Sequence, residues 1–184
     1  MKEFKNILLV SGSGQNCGKT TLVCNIISRL SKKSEVFGLK ISPHFHRTGN
    51  NQQLVVEGEG FRIFREMDKS SEKDSSRMLS AGAKKVYFIQ CADDDLEGVH
   101  SHLKKLIPED LPVICESGSF AEVFKTGKHI LVKGLTAENS KKSYLSNLNK
   151  ADIIIEQSEF SQTQLNYQIE YSDKHWTINY YDHD

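Results

Sequence analysis

Hydrophobic positions along this chain fall in short runs whose period switches repeatedly between strand and helix. Ile7-Leu8-Leu9-Val10 is a continuous apolar run, the pattern of a parallel strand buried on both faces. Leu22 to Leu30 follows as an amphipathic helix, with Ile26, Ile27 and Leu30 on one side. Glu35-Val36-Phe37-Gly38-Leu39-Lys40-Ile41 returns to strand and is ended by Pro43, because the residue before a proline is driven to extended geometry. Leu54-Val55-Val56 and Phe61-Arg62-Ile63-Phe64 flank a glycine-rich turn and predict a hairpin. Ser71 and Asp74 have the spacing of a capping box, opening a helix for which Gly82 is a suitable left-handed exit. Lys85 to Cys91 predicts the third strand of the main sheet. The helix after it carries Leu96, Val99, Leu103, Leu106 and Ile107 at helical spacing. Pro112 to Cys115, His129 to Lys133 and Asp152 to Ile155 predict further strands, with a helix over Ser140 to Leu148 before the last.

Strands alternating with helices predict an α/β fold: three layers, α/β/α, around a mostly parallel sheet. A length of 184 residues suits one domain over 1–184. The hairpin at 52–67 reads as an excursion from the main sheet, placed to meet a partner subunit through Phe61 and Phe64 or to fold back on its own domain. Residues 165–184 read as added edge strands, through Gln168-Ile169-Glu170-Tyr171 and Trp176 to Tyr180.

The junction between the first strand and the first helix carries the chemistry. Its sequence is Gly12-Ser13-Gly14-Gln15-Asn16-Cys17-Gly18-Lys19-Thr20-Thr21. Strand, glycine-rich turn, Gly-Lys-Thr and helix are the parts of a phosphate-binding P-loop (Walker A) of the NTPase type. Glycines let successive amides converge on an anion, and the helix start adds its positive dipole end. Residues 14 to 21 are therefore the expected nucleotide contacts: Gly14, Gln15, Asn16, Cys17, Gly18, Lys19, Thr20 and Thr21. Lys19 would bridge the terminal phosphates of GTP or ATP, and the Thr20 hydroxyl would bind Mg2+. Ser13 stands where the usual spacing has glycine, with Gly12 one residue early.

A P-loop site also needs a carboxylate at a neighbouring strand end to hold a metal-bound water. Glu116, in Cys115-Glu116-Ser117-Gly118, has that position. Asp93, at the end of the third strand, is either a helix-capping acid or a second group orienting Mg2+ through water. Lys40, near the carboxyl end of the second strand, is expected to act in catalysis, and His44 to contact a ligand. His44 and His46 lie at i, i+2, open to a metal, to substrate or nucleotide, or to solvent. Cys17 is either a reactive thiol beside a helix start or a small residue tolerated in the loop. Asn149-Lys150-Ala151-Asp152 spells a guanine-reading tetrapeptide, but it precedes a strand, at the sheet edge opposite Lys19.

Composition narrows the partners. Twenty-four basic and 24 acidic side chains balance, which argues against a field built for nucleic acid or an anionic membrane. No apolar run approaches the ~18 residues of a membrane span. Met1-Lys2-Glu3-Phe4-Lys5 offers no cleavable small-residue site, so no signal peptide is expected. Four cysteines without C-x-x-C spacing predict reduced thiols in a cytoplasmic protein.

Three local stretches resemble the molybdopterin-guanine dinucleotide biosynthesis adapter (MobB) family: Lys40-Ile41-Ser42-Pro43-His44-Phe45-His46, Lys73-Asp74-Ser75-Ser76-Arg77 through Ala81-Gly82-Ala83, and Cys115-Glu116-Ser117-Gly118. Order and approximate spacing agree from residue 6 to about 132. The loop length from Gly12 to Gly18 is instead similar to dethiobiotin synthetase, whose relatives also place a lysine after strand two. The resemblance implies a GTP-binding, homodimeric protein that hydrolyses slowly and assists a cofactor-biosynthesis enzyme in molybdenum cofactor assembly. The alternatives are an ATP-dependent ligase or kinase, in which Lys40 meets the acceptor, and a non-catalytic, nucleotide-gated interaction module.

Overall fold

The computed structural model describes residues 2–45, 51–134, 142–161 and 164–181. Among these, β1 (Lys2–Gly12), α1 (Lys19–Leu30) and β2 (Phe37–Ser42) are followed by β3 (Gln52–Gly58), β4 (Phe61–Glu66) and α2 (Asp74–Ser80). β5 (Lys85–Cys91) leads through a 3-10 helix to α3 (His100–Leu106). Next come β6 (Val113–Glu116), α4 (Phe120–Val123), β7 (Phe124–Lys133), α5 (Lys142–Leu148) and β8 (Ile153–Glu156). β9 (Tyr167–Ser172) and β10 (His175–Tyr180) close the described chain.

The result is an α/β fold around an eight-stranded sheet of order β3-β4-β5-β2-β6-β1-β7-β8. From β5 to β8 every neighbouring pair is parallel, and only β4 runs against its neighbours. Alternation along β1 sorts the core. Leu8 and Val10 face a cluster with Leu22, Val23, Ile26 and Ile27 of α1, whereas Ile7 and Leu9 face Leu103, Phe120 and Phe124 on the other side. Each such side chain, wholly buried, contributes roughly 1.5–3 kcal/mol of apolar burial. Among the described residues no helix is long and apolar enough to cross a membrane.

Several expectations need correction. The hairpin at 52–67 is no excursion: β4 pairs with β5, so the hairpin extends the main sheet. Phe61 and Phe64 are consequently buried in their own domain. The tail strands β9 and β10 pair with each other as a separate two-stranded sheet and do not edge the main one. That sheet is held by Trp176, buried under the α1-side layer, whose Nε1 donates to the Asn6 carbonyl at 2.9 Å. α2 starts later than the spacing implied, with Lys73 as its first flanking residue and no side-chain cap. The segment after β5 begins as a 3-10 helix over Asp93–Val99. β7 is longer than its apolar run, because its first half pairs with the start of β1. The expected helix start at Ser140 lies outside the described residues.

One lateral row of paired residues crosses all eight strands: Leu54, Phe64, Phe88, Lys40, Glu116, Val10, Ile130 and Ile153. Its only charged members are the neighbours Lys40 and Glu116.

His129 of β7 is a buried imidazole that shares a 2.7 Å hydrogen bond with Ser11 Oγ. Burial drives its pKa down from 6.5 to about 4, although the Lys150 carbonyl and Asp152 pull the other way. The neutral ring is the folded form, so its stabilisation is complete above pH 6.5 and is lost as pH falls toward 4. The loss across that window is up to about 3 kcal/mol. Urea titrations at pH 7 and pH 4.5 should show this acid sensitivity, and His129→Asn, which cannot titrate, should flatten it. An unchanged slope in the variant would assign the acid sensitivity to other groups.

Candidate functional site

The carboxyl ends of β1, β2 and β6 lie side by side because β6 inserts between the first two strands. The glycine-rich turn leaves β1 there and enters α1. Its base is pinned to β7, since the Ser13 amide donates to the Val132 carbonyl at 2.9 Å and Ser13 Oγ accepts from the Gly134 amide at 3.0 Å. Asn16 and Gly18 both take left-handed backbone, with φ of 56° and 93°. Such alternation turns successive amides toward one side, as in an anion nest. Gly18 admits no side chain, because a Cβ there would lie 2.9 Å from the Phe160 ring. At Gly12 a Cβ would lie 2.8 Å from Lys19 Cγ, so glycine is what lets the lysine stem cross the turn.

The first intrahelical bond of α1 runs from the Leu22 amide to the Gly18 carbonyl at 3.0 Å. Among the described residues, no backbone carbonyl accepts a well-formed hydrogen bond from the amides of residues 14 to 21. The Lys19 ammonium donates to the Gly14 carbonyl and approaches Cys17 Sγ at 3.4 Å. Cys17 is buried, its thiol donating to Gly14 O at 3.3 Å, which suits the reading of a small residue packed in the loop. All four cysteines are free. Burial pushes the thiols of Cys24 and Cys91 up to about 11 and that of Cys115 higher still.

Beside the turn lies a closed ring of four side chains. Thr20 Oγ1 is 2.9 Å from Asp74 Oδ1 and 2.9 Å from Glu116 Oε2. Lys40 Nζ is 2.6 Å from Asp74 Oδ2 and 2.6 Å from Glu116 Oε1. Each carboxylate thus gives one oxygen to the hydroxyl and the other to the ammonium. A threonine hydroxyl carries one proton and can donate to only one of the two acids at a time. Burial by itself pulls the Lys40 pKa down, but the charges of Glu116 and Asp74 outweigh it and hold it above the ordinary lysine value. Burial likewise raises Asp74, yet Lys40, Thr20 and Arg77 together keep its carboxyl below the usual range.

The ring opens onto a cavity of about 700 Å³ whose lining includes Gln15, Asn16, Thr21, His44, Phe88 and Arg77. His44, after β2, is exposed at its rim, and its amide donates to Ser42 Oγ at 3.3 Å. The fold therefore brings together Lys19, Thr20, Lys40, His44 and Glu116 as the sequence suggested. His46 lies outside the described residues.

Asp93 is not brought to this group. It is exposed just past the end of β5 and opens the 3-10 helix whose Leu96 and Val99 pack on the sheet face opposite α1, so although β5 neighbours β2 it does not line the cavity beside the ring. The second acid of the ring is instead Asp74, at the start of α2. Its capping-box spacing concealed it, since an acid at a helix start is ordinarily explained by the helix itself. The Asn149–Asp152 tetrapeptide lies at the entrance of β8, where Asp152 accepts from the His129 amide at 2.8 Å and from Lys128 Nζ at 2.8 Å. Among the described residues, no group of three or more His, Cys, Asp and Glu side chains gathers as a metal centre.

No protein-family model, curated protein or solved structure matches this chain.

The two acids differ in what they lose on removal. The side chain of Glu116 is 2% exposed and that of Asp74 38%. Glu116→Ala should lower the unfolding free energy by about 2–3 kcal/mol, because Lys40 is left buried with one partner. Asp74→Ala should cost about 1 kcal/mol or less, since solvent screens that pair. Chemical denaturation of both variants checks the order, and equal losses would contradict it.

Proposed function

We propose that the protein binds a nucleoside triphosphate with Mg2+ through a P-loop, in a P-loop NTPase fold of the α/β/α kind. The observation that carries this reading is that the amides of residues 14 to 21, at the start of α1 beside Lys19, donate no well-formed hydrogen bond to a backbone carbonyl among the described residues. Unpaired amides at a helix N-terminus cost stability unless an anion or water satisfies them, and the dipole favours an anion. On binding, the Lys19 ammonium exchanges the Gly14 carbonyl for phosphate oxygens.

The donor set suits magnesium. Thr20 Oγ1 and the carboxylates of Asp74 and Glu116 are hard oxygens converging on one point, and Mg2+ is held in such sites by one or two carboxylates with phosphates and water. Thr20, Asp74 and Glu116 would hold the ion, which neutralises charge on the phosphates when bound. Glu116 accepts hydrogen bonds beside the terminal phosphate position and so orients an attacking group. Lys19 and the loop amides hold the phosphates, with Gln15, Asn16 and Thr21 at the cavity wall.

Within this class the favoured reading is a slow GTPase or adapter of the MobB kind, acting as a homodimer with a cofactor-biosynthesis enzyme. The support is local: the lysine-aspartate-serine segment flanks and opens α2, and its acid joins the ring. A second reading has its own observation. The cavity continues past Lys40 to Phe88, Gln52 and His44, space for an acceptor beside the phosphates, as an ATP-dependent ligase or kinase requires.

Calorimetric titration with GTP and ATP in the presence of Mg2+ tests the core of the reading. Micromolar-range binding of at least one is expected, weakened about 30-fold or more in Lys19→Ala, and absence of binding to either overturns it. Turnover separates the two readings: an adapter hydrolyses well below about 1 s⁻¹, whereas a ligase or kinase given its acceptor reaches about that rate or more.

A further inference from the structure

We propose that Lys40 is a resident counter-ion, holding the place between Asp74 and Glu116 until a divalent cation displaces it and turns its ammonium into the cavity toward an anionic ligand. The inference rests on the reading of Thr20, Asp74 and Glu116 as a metal-holding set. The geometry that carries it is the closed ring. Each acid has one oxygen on the threonine hydroxyl at 2.9 Å and the other on Lys40 Nζ at 2.6 Å.

Two carboxylates so close repel one another, and the buried one, Glu116, needs a cation beside it. The rest of their lateral row is apolar, so Lys40 is the one cation the sheet itself delivers to Glu116. Within the ring two acids and one ammonium leave one negative charge in net, and Arg77 beside Asp74 offsets part of it. A doubly charged ion entering beside the ammonium would leave the group positive, with both cations sharing the same oxygens. One of them must therefore leave.

Lys40 has the means to do so. Its side chain is 17% exposed and already lines the cavity, next to Ser42 and Phe88. A lysine stem is long and rotatable, and its compact ammonium can follow whichever anion is nearest. When the metal arrives with a polyphosphate, the incoming negative charge supplies the lysine's new partner. Free metal brings none, so it meets a lysine with nowhere better to go. Lys40 thus couples the cation to the anion: metal alone binds weakly, and metal with polyphosphate binds well.

Mg2+ titration without nucleotide, by calorimetry, on the full chain and on Lys40→Met tests this. The variant should bind Mg2+ at least about tenfold more tightly than the wild type, and its melting temperature should rise more steeply with Mg2+. Binding that is no tighter in the variant, while the wild type still binds Mg2+ with nucleotide, overturns the counter-ion role and leaves the proposed function standing. A wild type that binds no Mg2+ even with nucleotide overturns both. A measurement on the wild type needs no variant. The Lys40 ammonium resonance, protected from exchange by its two carboxylates, should lose that protection when Mg2+ and nucleotide are added together. Persistent protection in the loaded protein overturns the proposal.

Discussion

Two carboxylates held against one hydroxyl repel each other, and the sheet edge of this protein is arranged so that a lysine sits between them. Lys40 and Glu116 are lateral neighbours on β2 and β6, so pairing of the strands itself fixes their separation. Asp74 reaches them from α2 and Thr20 from α1, which ties both helices of that face to the same point. Moving any one of these four elements would open an ion pair whose glutamate has almost no access to water. Buried pairs of this kind add little net stability over apolar packing, but breaking one is costly.

The order of the strands makes that arrangement possible. Because β6 lies between β1 and β2, the turn after β1, the acid ending β6 and the lysine of β2 all open onto one edge. Ligands of open parallel sheets gather at such edges, where loops diverge and leave a crevice. The glycine-rich turn is fixed on its far side by β7 and by the Phe160 ring against Gly18. The shape of the turn is thus set by packing within the fold.

Much of this was legible residue by residue. Ile7 to Val10 had to be a buried strand, and Gly-Lys-Thr opening an apolar helix had to follow a turn at its carboxyl end. Glu116 stood out only beside the glycine-rich turn, since an acid ending an apolar strand says little by itself. Asp74 did not, because helix starts attract acids for reasons of their own. Asp93 drew attention for the converse reason: it ends a strand, but sequence position does not reveal that the helix it opens packs on the face opposite α1. The hairpin at 52–67 was recognisable as a hairpin, while its pairing partner was not, since Phe61 and Phe64 would suit an interface as well as an edge of the sheet.

By itself the sequence determined most of the strands and helices, the α/β class and the turn with its lysine and threonine, because these follow from local periodicity and backbone preference. Tertiary structure alone decided which acids meet, that Lys40 is bound between them, and that the tail forms its own small sheet beneath Trp176. The physical reason is that strand order is set by long-range pairing and burial. Neither leaves a mark at the positions that end up as neighbours.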